Sequence, residues 1–266
     1  MNPSTALAAI ERAHGVRILL AVESGSRAWG FPSLDSDFDV RFLYLRPLHA
    51  YLSVDAPRDT IEHPPAPAPA GHPAEGGTLD LGGWDVRKAL NLLARSNAAA
   101  MEWLRSPIVY QHDPEAHAAL SALARDVAHL PALAYHYDRL ARHALPPGAG
   151  PVRLKSYFYA IRPALALSWM KRHATPPPMD LPALLSGAPV PAPVRNAIEA
   201  LHTQKAAATE AGTTPRAPVL DGWLAGVLAH PASRPAPWDQ AAAVAAADAL
   251  FRHLLRASYD ADSPTL

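Results

Sequence analysis

A glycine–serine pair followed by two acidic residues forms the segment of the sequence best suited to chemistry. The segment reads GSRAWGFPSLDSDFDV, and residues 27–36 separate Gly25 and Ser26 from Asp37. Alternate side chains of a β-strand share a face, so Asp37 and Asp39 are predicted to project together. The glycine allows close backbone approach, and free amides at a helix start, with the serine hydroxyl, can hold a phosphate.

Two adjacent carboxylates repel each other, and a divalent cation between them removes that conflict. Hard oxygen ligands of this kind suit magnesium or manganese. A phosphate-binding turn opposite an Asp-x-Asp strand therefore indicates metal-assisted phosphoryl or nucleotidyl transfer, in which the metals hold the attacking and leaving oxygens. Such a site needs a third carboxylate, and Asp80 is the candidate because flanking leucines would face the core. Asp85 is the competitor, and it could equally cap a helix.

Two arginines stand close to these acidic residues in the sequence. Arg27 and Arg41 could reach the oxygens of a triphosphate, or they could pair with Asp35 or Asp39. Both alternatives remain open at this stage.

A second group of polar residues lies far along the chain. Lys155, Tyr159 and Arg162 follow an i, i+4, i+7 spacing, which places them on one helical stripe. The stripe is predicted to close over a nucleotide, with the tyrosine stacked on the base and the cations at phosphate. Their neighbours Tyr157, Phe158 and Ile161, and the tryptophans Trp84, Trp103 and Trp169, are predicted to be core residues.

Strands are predicted mainly in the first hundred residues, and helices dominate the rest. Short aliphatic or alternating runs predict strands at Val16–Val22, Phe38–Leu45 and Thr78–Trp84. Predicted helices follow Asp85 as a cap and cover Pro114–Leu145, Arg153–Arg172 with a kink or break at Pro163, and Asp239–Ser258. The pattern indicates a small α/β domain followed by an α-helical one.

Proline makes up 29 of the 266 residues and is clustered. Proline lacks an amide donor and restricts the residue before it, so the clusters are predicted to be loops. They fall at His63–Gly77, Pro146–Pro151, Thr175–Pro193, Thr214–Pro218 and His230–Pro237.

The composition excludes several classes of protein. Lys+Arg and Asp+Glu number 24 each, which rules out holding nucleic acid by bulk charge alone. Cysteine is absent, which excludes disulfide scaffolds, zinc ribbons and thiol catalysis. The sequence has no Walker loop and no G-x-S-x-G elbow, and its histidines are scattered. No apolar run approaches the roughly 20 residues of a membrane span, so a soluble cytoplasmic protein is expected.

Four blocks of the sequence resemble a known family. GSRAWG, SDFDVRF, DLGGWDVRKAL and SNAAAMEWLRSPIVY look like the predicted nucleotidyltransferases of the DNA polymerase β superfamily, in the group associated with RNA ligases of phage and bacteria. The resemblance covers the first 110 residues or so and extends more weakly through KSYFYAIRPALALSW. The chain departs from the group in its proline-rich His63–Gly77 insertion and in Asn97-Ala98-Ala99, where the group usually has Asn-Pro.

The resemblance implies an α+β fold with a nucleotidyltransferase-type small mixed sheet and flanking helices over residues 1–112, then an α-helical domain over 113–266. It also implies magnesium, a nucleoside triphosphate donor expected to be ATP, and an RNA 3′ end as the favoured acceptor. Asp37, Asp39 and Asp80, with Asp85 as the alternative to Asp80, would then hold the metals, and Gly25 and Ser26 would hold the phosphates. A protein or small-molecule acceptor, or a non-catalytic nucleotide-binding module, is the alternative.

Overall fold

A five-stranded mixed sheet lies at the centre of the first half of the chain. The computed structural model describes residues 2–67, 77–145, 148 and 150–262. The strands are β1 (Arg17–Ser24), β2 (Phe38–Leu45), β3 (Thr60–Pro67), β4 (Thr78–Asp85) and β5 (Val109–His112), in the order β3-β4-β2-β1-β5. Strands β2 and β4 run parallel, and the other neighbours are antiparallel. The predicted α+β class with a small mixed sheet is confirmed.

Helices cover both faces of this sheet and form most of the second half. They are α1 (Pro3–His14), α2 (Gly25–Ala28), α3 (Leu48–Tyr51), α4 (Val86–Ala94), α5 (Ala98–Trp103), α6 (Pro114–Asp126), α7 (Leu130–Ala144), α8 (Leu154–His173), α9 (Leu181–Gly187), α10 (Ala192–Ala206), α11 (Pro218–Val227) and α12 (Ala241–Asp262). A two-stranded ribbon of β6 (Val152–Arg153) and β7 (Thr213–Thr214) joins the start of α8 to the segment after α10. Among the described residues, no helix is long and apolar enough to cross a bilayer.

Alternating side chains divide the apolar residues of the sheet between two clusters. Phe38, Val40 and Leu79 are buried on the face that α1 covers. The opposite face supplies Leu20 and Leu43 to a larger cluster that includes α4, α8 and most other helices. This larger cluster contains residues from both sides of the predicted 112/113 boundary. The two predicted domains thus share buried contacts, and the division itself stays a prediction.

The proline-rich segments contain more regular structure than predicted. The loop prediction is wrong for residues 63–67, which extend β3 along β4 with a register shift between His63 and Ala66. Prolines are tolerated there because β3 is an edge strand and one side of its backbone needs no partner. The rest of the predicted loop to residue 76 lies outside the described residues. The Thr175–Pro193 loop likewise contains α9, which Asp180 caps by accepting a 2.9 Å hydrogen bond from the Ala183 amide.

Two helix predictions are corrected or refined by the structure. The single helix predicted over Pro114–Leu145 is wrong, because α6 ends at Asp126 and α7 begins at Leu130. His129 caps the second helix and Pro131 follows in its first turn, a common helix start. Helix α8, by contrast, continues for 20 residues through Pro163 without a break.

Candidate active site

The glycine of the glycine–serine pair lies directly against a carboxylate of β2. Gly25 begins α2 with φ +67°, a left-handed conformation that favours glycine. A β-carbon at this position would lie 2.1 Å from Oδ2 of Asp39. The two residues therefore meet backbone to carboxylate, with no side chain between them. The turn and the acidic strand predicted to face each other do so here.

Asp39 stands beside Asp80 on the neighbouring strand. The parallel register of β2 and β4 aligns the two residues directly. Arg41 lies over both carboxylates, with Nη2 at 2.6 Å from Asp80 Oδ2 and 3.6 Å from Asp39 Oδ1. Burial raises the pKa of Asp39 above its usual range; Arg41 lowers it, and the negative charge of Asp80 raises it again. The positive charge of Arg41 therefore compensates only part of the repulsion between the Asp39 and Asp80 carboxylates and of the cost of burying Asp39.

Asp37 lies directly before β2, and its negative charge is close enough to Asp39 to raise the pKa of that residue. Phe38 is buried between them, while Asp37 is exposed. The Asp37 Oδ1 atom accepts hydrogen bonds from the Thr78 amide at 2.7 Å and the Thr78 hydroxyl at 2.8 Å, which ties the start of β2 to the start of β4. Among the described residues, no three His, Cys, Asp or Glu side chains are close enough together to hold a metal ion.

The chemistry of these donors nevertheless fits a divalent cation. Asp37, Asp39 and Asp80 offer hard carboxylate oxygens on two aligned strands, and the raised pKa of Asp39 reflects a buried anion that a cation would stabilise. Arg41 and Thr78 bind two of these carboxylates in the structure. Each of these contacts uses one oxygen of its carboxylate, so the other oxygen of Asp80 and of Asp37 stays available to a cation. The predicted metal set stays a prediction.

Asp85, the other candidate for the third carboxylate, lies away from this group. It is the last residue of β4, five positions beyond Asp80 or roughly 16 Å along the strand. Its side chain caps α4 by accepting from the Arg87 amide at 2.9 Å, and it accepts a 3.1 Å hydrogen bond from the Tyr51 hydroxyl. The Asp85 side chain is buried, and its hydrogen bonds stabilise the start of α4. Of the two candidates, Asp80 is the one that lies beside Asp39.

A paired substitution separates the two aspartates. We expect Asp80→Asn to lower nucleotidyl transfer about 10²-fold or more, since it removes a charge next to the reacting groups. Its stability should change by at most about 1 kcal/mol, because the Arg41 pair is partly exposed. Asp85→Asn should instead lower the free energy of unfolding by about 1–3 kcal/mol through its buried hydrogen bonds. Urea denaturation and transfer rates of both variants check this, and the reverse order would move the third carboxylate to Asp85.

Arg27 pairs with neither Asp35 nor Asp39 through its guanidinium in the structure, and its contact with a triphosphate stays a prediction. Its Nε donates to the Asp37 carbonyl at 2.9 Å, and its Nη2 donates to the Ser36 carbonyl at 2.7 Å. The guanidinium also stacks over Phe38 at 4.0 Å. Arg27 therefore fixes the backbone of the turn before β2, which in turn orients the carboxylates that follow.

A carboxylate from the second half of the chain joins the serine side of the site. Ser26 is buried and donates to Ser36 Oγ at 3.1 Å, and Ser36 donates to Glu210 Oε1 at 2.8 Å. Glu210 also pairs with Lys155 at 3.1 Å and with the buried Lys205 at 3.2 Å. Hydrogen bonds and the two ammonium groups outweigh burial and lower the pKa of Glu210 to about 2. This network fastens the loop before β2 to the segment after α10.

The helical stripe of α8 reaches the site with two of its three members. The Lys155 ammonium lies near Asp39, and anionic neighbours raise its pKa despite the opposing effect of burial. Tyr159 is partly exposed and makes an edge contact with Trp29 at 5.3 Å. Arg162 is buried, where it pairs with Glu102 and donates to the Met179 carbonyl at 2.9 Å. Arg162 therefore borders the aromatic cavity beside Trp29 instead of the carboxylates, and its predicted contact with phosphate stays a prediction.

A cavity of about 380 Å³ opens between α8, α7 and the turn after α2. Trp29, Phe31, Tyr159, Arg162 and Glu102 contribute to its lining. The Arg162 guanidinium stacks on the Trp29 ring at 4.4 Å. The Trp29 indole nitrogen is buried and has no hydrogen-bond partner among the described residues. The cavity thus combines aromatic faces with an indole donor that lacks an acceptor.

The residues predicted to be core agree with the structure in most cases. Those along α8 are fully buried, and Trp103 is 6% exposed. Trp84 and Trp169 are half-buried and pack against the larger cluster.

Glu23 is a residue of the site that the sequence did not single out. It is 0% exposed near the end of β1 and accepts a 2.8 Å hydrogen bond from the Asp39 amide and another from the Tyr110 hydroxyl. Burial raises its pKa to about 7, against the effect of these hydrogen bonds. The signal in the sequence is one acidic residue that directly follows five apolar residues of β1. Glu23 holds the backbone of Asp39 and is a positioning residue.

The raised pKa of Glu23 predicts a pH-dependent stability. An acid whose pKa rises from 4.5 to about 7 on folding contributes its full stability below pH 4.5 and loses it as the pH rises through 7. The loss amounts to about 3 kcal/mol. We expect Glu23→Gln to remove this dependence, so that its stability relative to wild type improves between pH 5 and pH 8. Urea denaturation at both pH values checks this, with Glu199→Gln at an exposed helix position as the control. Equal pH slopes for the wild type and Glu23→Gln would contradict it.

The α+β fold with a small mixed sheet is the one that the sequence resemblance implies. The family model described as the RNA repair pathway DNA polymerase beta family matches residues 2–253, and the chain belongs to that family. The resemblance seen in the sequence is thereby confirmed.

A curated relative gives no further functional information. The chain is 42% identical over 179 residues to an uncharacterized protein, YcgL, of Bacillus subtilis. The match covers 66% of this chain and 65% of that relative, so just under two thirds of the relative is matched. No solved structure matches the chain.

Proposed function

We propose that this chain transfers a nucleoside monophosphate from a nucleoside triphosphate, ATP being the expected donor, to the 3′ hydroxyl of an RNA. The observation that carries the proposal is the contact between Gly25 and Asp39, beside the aligned Asp80. A side-chain-free turn lets phosphate oxygens approach the carboxylates closely, which is the geometry that metal-assisted transfer needs.

The donor is assigned to the side of the site that faces α8. Its base would occupy the 380 Å³ cavity beside Trp29 and Tyr159, where the unpaired indole N–H offers a hydrogen bond. Its triphosphate would follow the turn at Gly25 and Ser26, with Lys155 as a counter-charge. Lys155 is available for this role because its present partner, Glu210, is also held by Ser36 and Lys205.

The carboxylates would hold the metal and receive the proton. Asp37, Asp39 and Asp80 would bind Mg²⁺ or Mn²⁺, which neutralises triphosphate charge and lowers the pKa of the acceptor hydroxyl. The acceptor oxygen forms a bond to the α-phosphorus while the bond from that phosphorus to the β-bridging oxygen breaks, and pyrophosphate leaves. Asp80 takes the hydroxyl proton.

An incorporation assay tests this function. The full chain is incubated with Mg²⁺, a short RNA ending in a 3′ hydroxyl, and ATP, GTP, CTP or UTP labelled at the α-phosphate. We expect label on the RNA and none on an otherwise identical RNA ending in a 3′ phosphate. Label found only on protein, or on both RNAs equally, would contradict an RNA 3′ hydroxyl as the acceptor.

A further inference from the structure

A second cavity, of about 530 Å³, begins at Asp80 on the side of the site away from α8. Side chains alternate along β4, so Asp80, Gly82 and Trp84 share the less buried face while their neighbours point into the core. Thr60 and Glu62 of β3 lie opposite Trp84 and Gly82 in the register and also line the cavity. We call this surface the β4 trough: Asp80, Gly82, Trp84, Thr60 and Glu62.

The centre of the β4 trough has no side chain. A β-carbon at Gly82 would lie 3.5 Å from Arg41 Nη1, an ordinary contact, so a larger residue there would fill space rather than strain the strand. The adjacent Gly83 differs, since its β-carbon would lie 2.1 Å from the Phe42 ring in the core. Packing against Phe42 therefore explains Gly83. Gly82 instead leaves an empty space on the strand surface between the Asp80 carboxylate and the Trp84 indole.

The far end of the β4 trough is aromatic. Trp84 stacks on Trp103 with ring centroids 3.8 Å apart, and both border the cavity. Trp84 stands four positions from Asp80, roughly 13 Å along the strand. If a base stacked on Trp84, its ribose would lie over Gly82 on the side toward Asp80. Stacking of this kind accepts any base and accounts for much of the binding in single-stranded nucleic acid sites.

The charges of the β4 trough select against phosphate. Asp80 and Glu62 are acidic, and Arg41 is already paired with Asp80 at 2.6 Å. A phosphate in the trough would meet two carboxylates with their cation already engaged. Hydroxyls and base edges can instead hydrogen-bond to Glu62 and Thr60. The trough therefore suits an uncharged nucleoside end, with the phosphates of the preceding chain outside it.

We infer that the β4 trough binds the 3′-terminal nucleoside of the acceptor RNA, with its base on Trp84 and its free 3′ hydroxyl at Asp80. This inference rests on the proposed function for the identity of the acceptor. It adds to that function a binding surface and a preference for a terminus without phosphate.

Binding of a 5′-fluorescent single-stranded RNA, measured by anisotropy without triphosphate, tests the inference independently of catalysis. We expect Gly82→Val and Trp84→Leu each to weaken binding of the 3′-hydroxyl RNA about tenfold or more. Trp84→Phe, which keeps a stacking ring, should restore most of the binding. Gly222→Val is the matched control, because a β-carbon at Gly222 meets nothing within 4 Å. Thermal unfolding of each variant verifies that it folds.

A crosslink supplies a second measurement that needs no variant. RNA with 4-thiouridine at its 3′ terminus should crosslink within residues 78–85 of the wild-type protein, and a 3′ phosphate should reduce the yield several-fold. Crosslinks outside residues 78–85 would contradict RNA binding in the β4 trough even if label transfer succeeds. The same holds if neither Gly82→Val nor a 3′ phosphate changes the affinity for RNA. Crosslinking at β4 without label transfer would support the trough and refute the proposed function.

Discussion

Asp39→Asn should abolish nucleotidyl transfer while leaving the fold intact. The substitution keeps the shape of the side chain but removes the charge nearest the turn at Gly25 and beside Asp80. Stabilisation by a bound metal is worth several kcal/mol, and each 1.36 kcal/mol is tenfold in rate, so we expect a loss of about 10³-fold or more. Single-turnover transfer of α-labelled nucleotide to RNA measures the loss.

Stability and binding measurements make the result specific. The substituted amide would be neutral where burial already disfavours the charged form of Asp39, so we expect unchanged or slightly higher stability in urea. Affinity for Mn²⁺, measured by calorimetry, should fall with the rate. Asp59→Asn is the control, since Asp59 is an exposed carboxylate that pairs with Lys88. Transfer by Asp39→Asn within threefold of wild type would exclude Asp39 from the reaction.

Gly25→Ala should lower nucleotidyl transfer strongly although it adds a single methyl group. The new β-carbon would lie 2.1 Å from Asp39 Oδ2, so the carboxylate or the turn must move. A displacement of about 1 Å at a reacting centre can cost 10²-fold, and we expect a loss of at least that size. The left-handed φ of +67° adds a stability cost of about 1–2 kcal/mol.

Gly15→Ala separates these two effects. Gly15 has a similar φ of +57°, but a β-carbon there meets nothing within 4 Å. We expect the same stability cost of about 1–2 kcal/mol from backbone strain, with transfer unchanged. Equal activity losses in both variants, measured well below their unfolding transitions, would show that the contact with Asp39 is unimportant.

Local patterns predicted the elements that hold the carboxylates. Strand β2 has the predicted bounds, Phe38–Leu45, because its alternation of charged and apolar residues continues to a buried end. Strand β4 differs by one residue, and Asp85 caps the helix after it as one of the two alternatives proposed. A period-2 alternation and a capping residue each involve residues close together in the sequence, so the sequence alone predicts the strand and the helix start.

Other features depend on tertiary contacts and could not be derived in that way. Strand β5 is four residues long and none of its residues is buried, so it lacks an apolar alternation, and it forms by pairing with β1. Glu210 contacts Ser36 across 174 residues of sequence, and no local signal connects them. Arg162 fits a helical stripe, yet burial against Glu102 decides its environment. The spacing of residues along a helix or strand predicted which side chains share a face. It did not predict which residues distant in the sequence they contact.

Following the two ends of the triphosphate tests the central claim most directly. ATP labelled at either the α- or the γ-phosphate is supplied with Mg²⁺ and RNA ending in a 3′ hydroxyl, and RNA and small products are separated. We predict α-label on the RNA, γ-label in pyrophosphate, and equal amounts of the two. Appearance of γ-label on the RNA, or release of γ-label as inorganic phosphate with none of the α-label transferred, would contradict nucleotidyl transfer at this site.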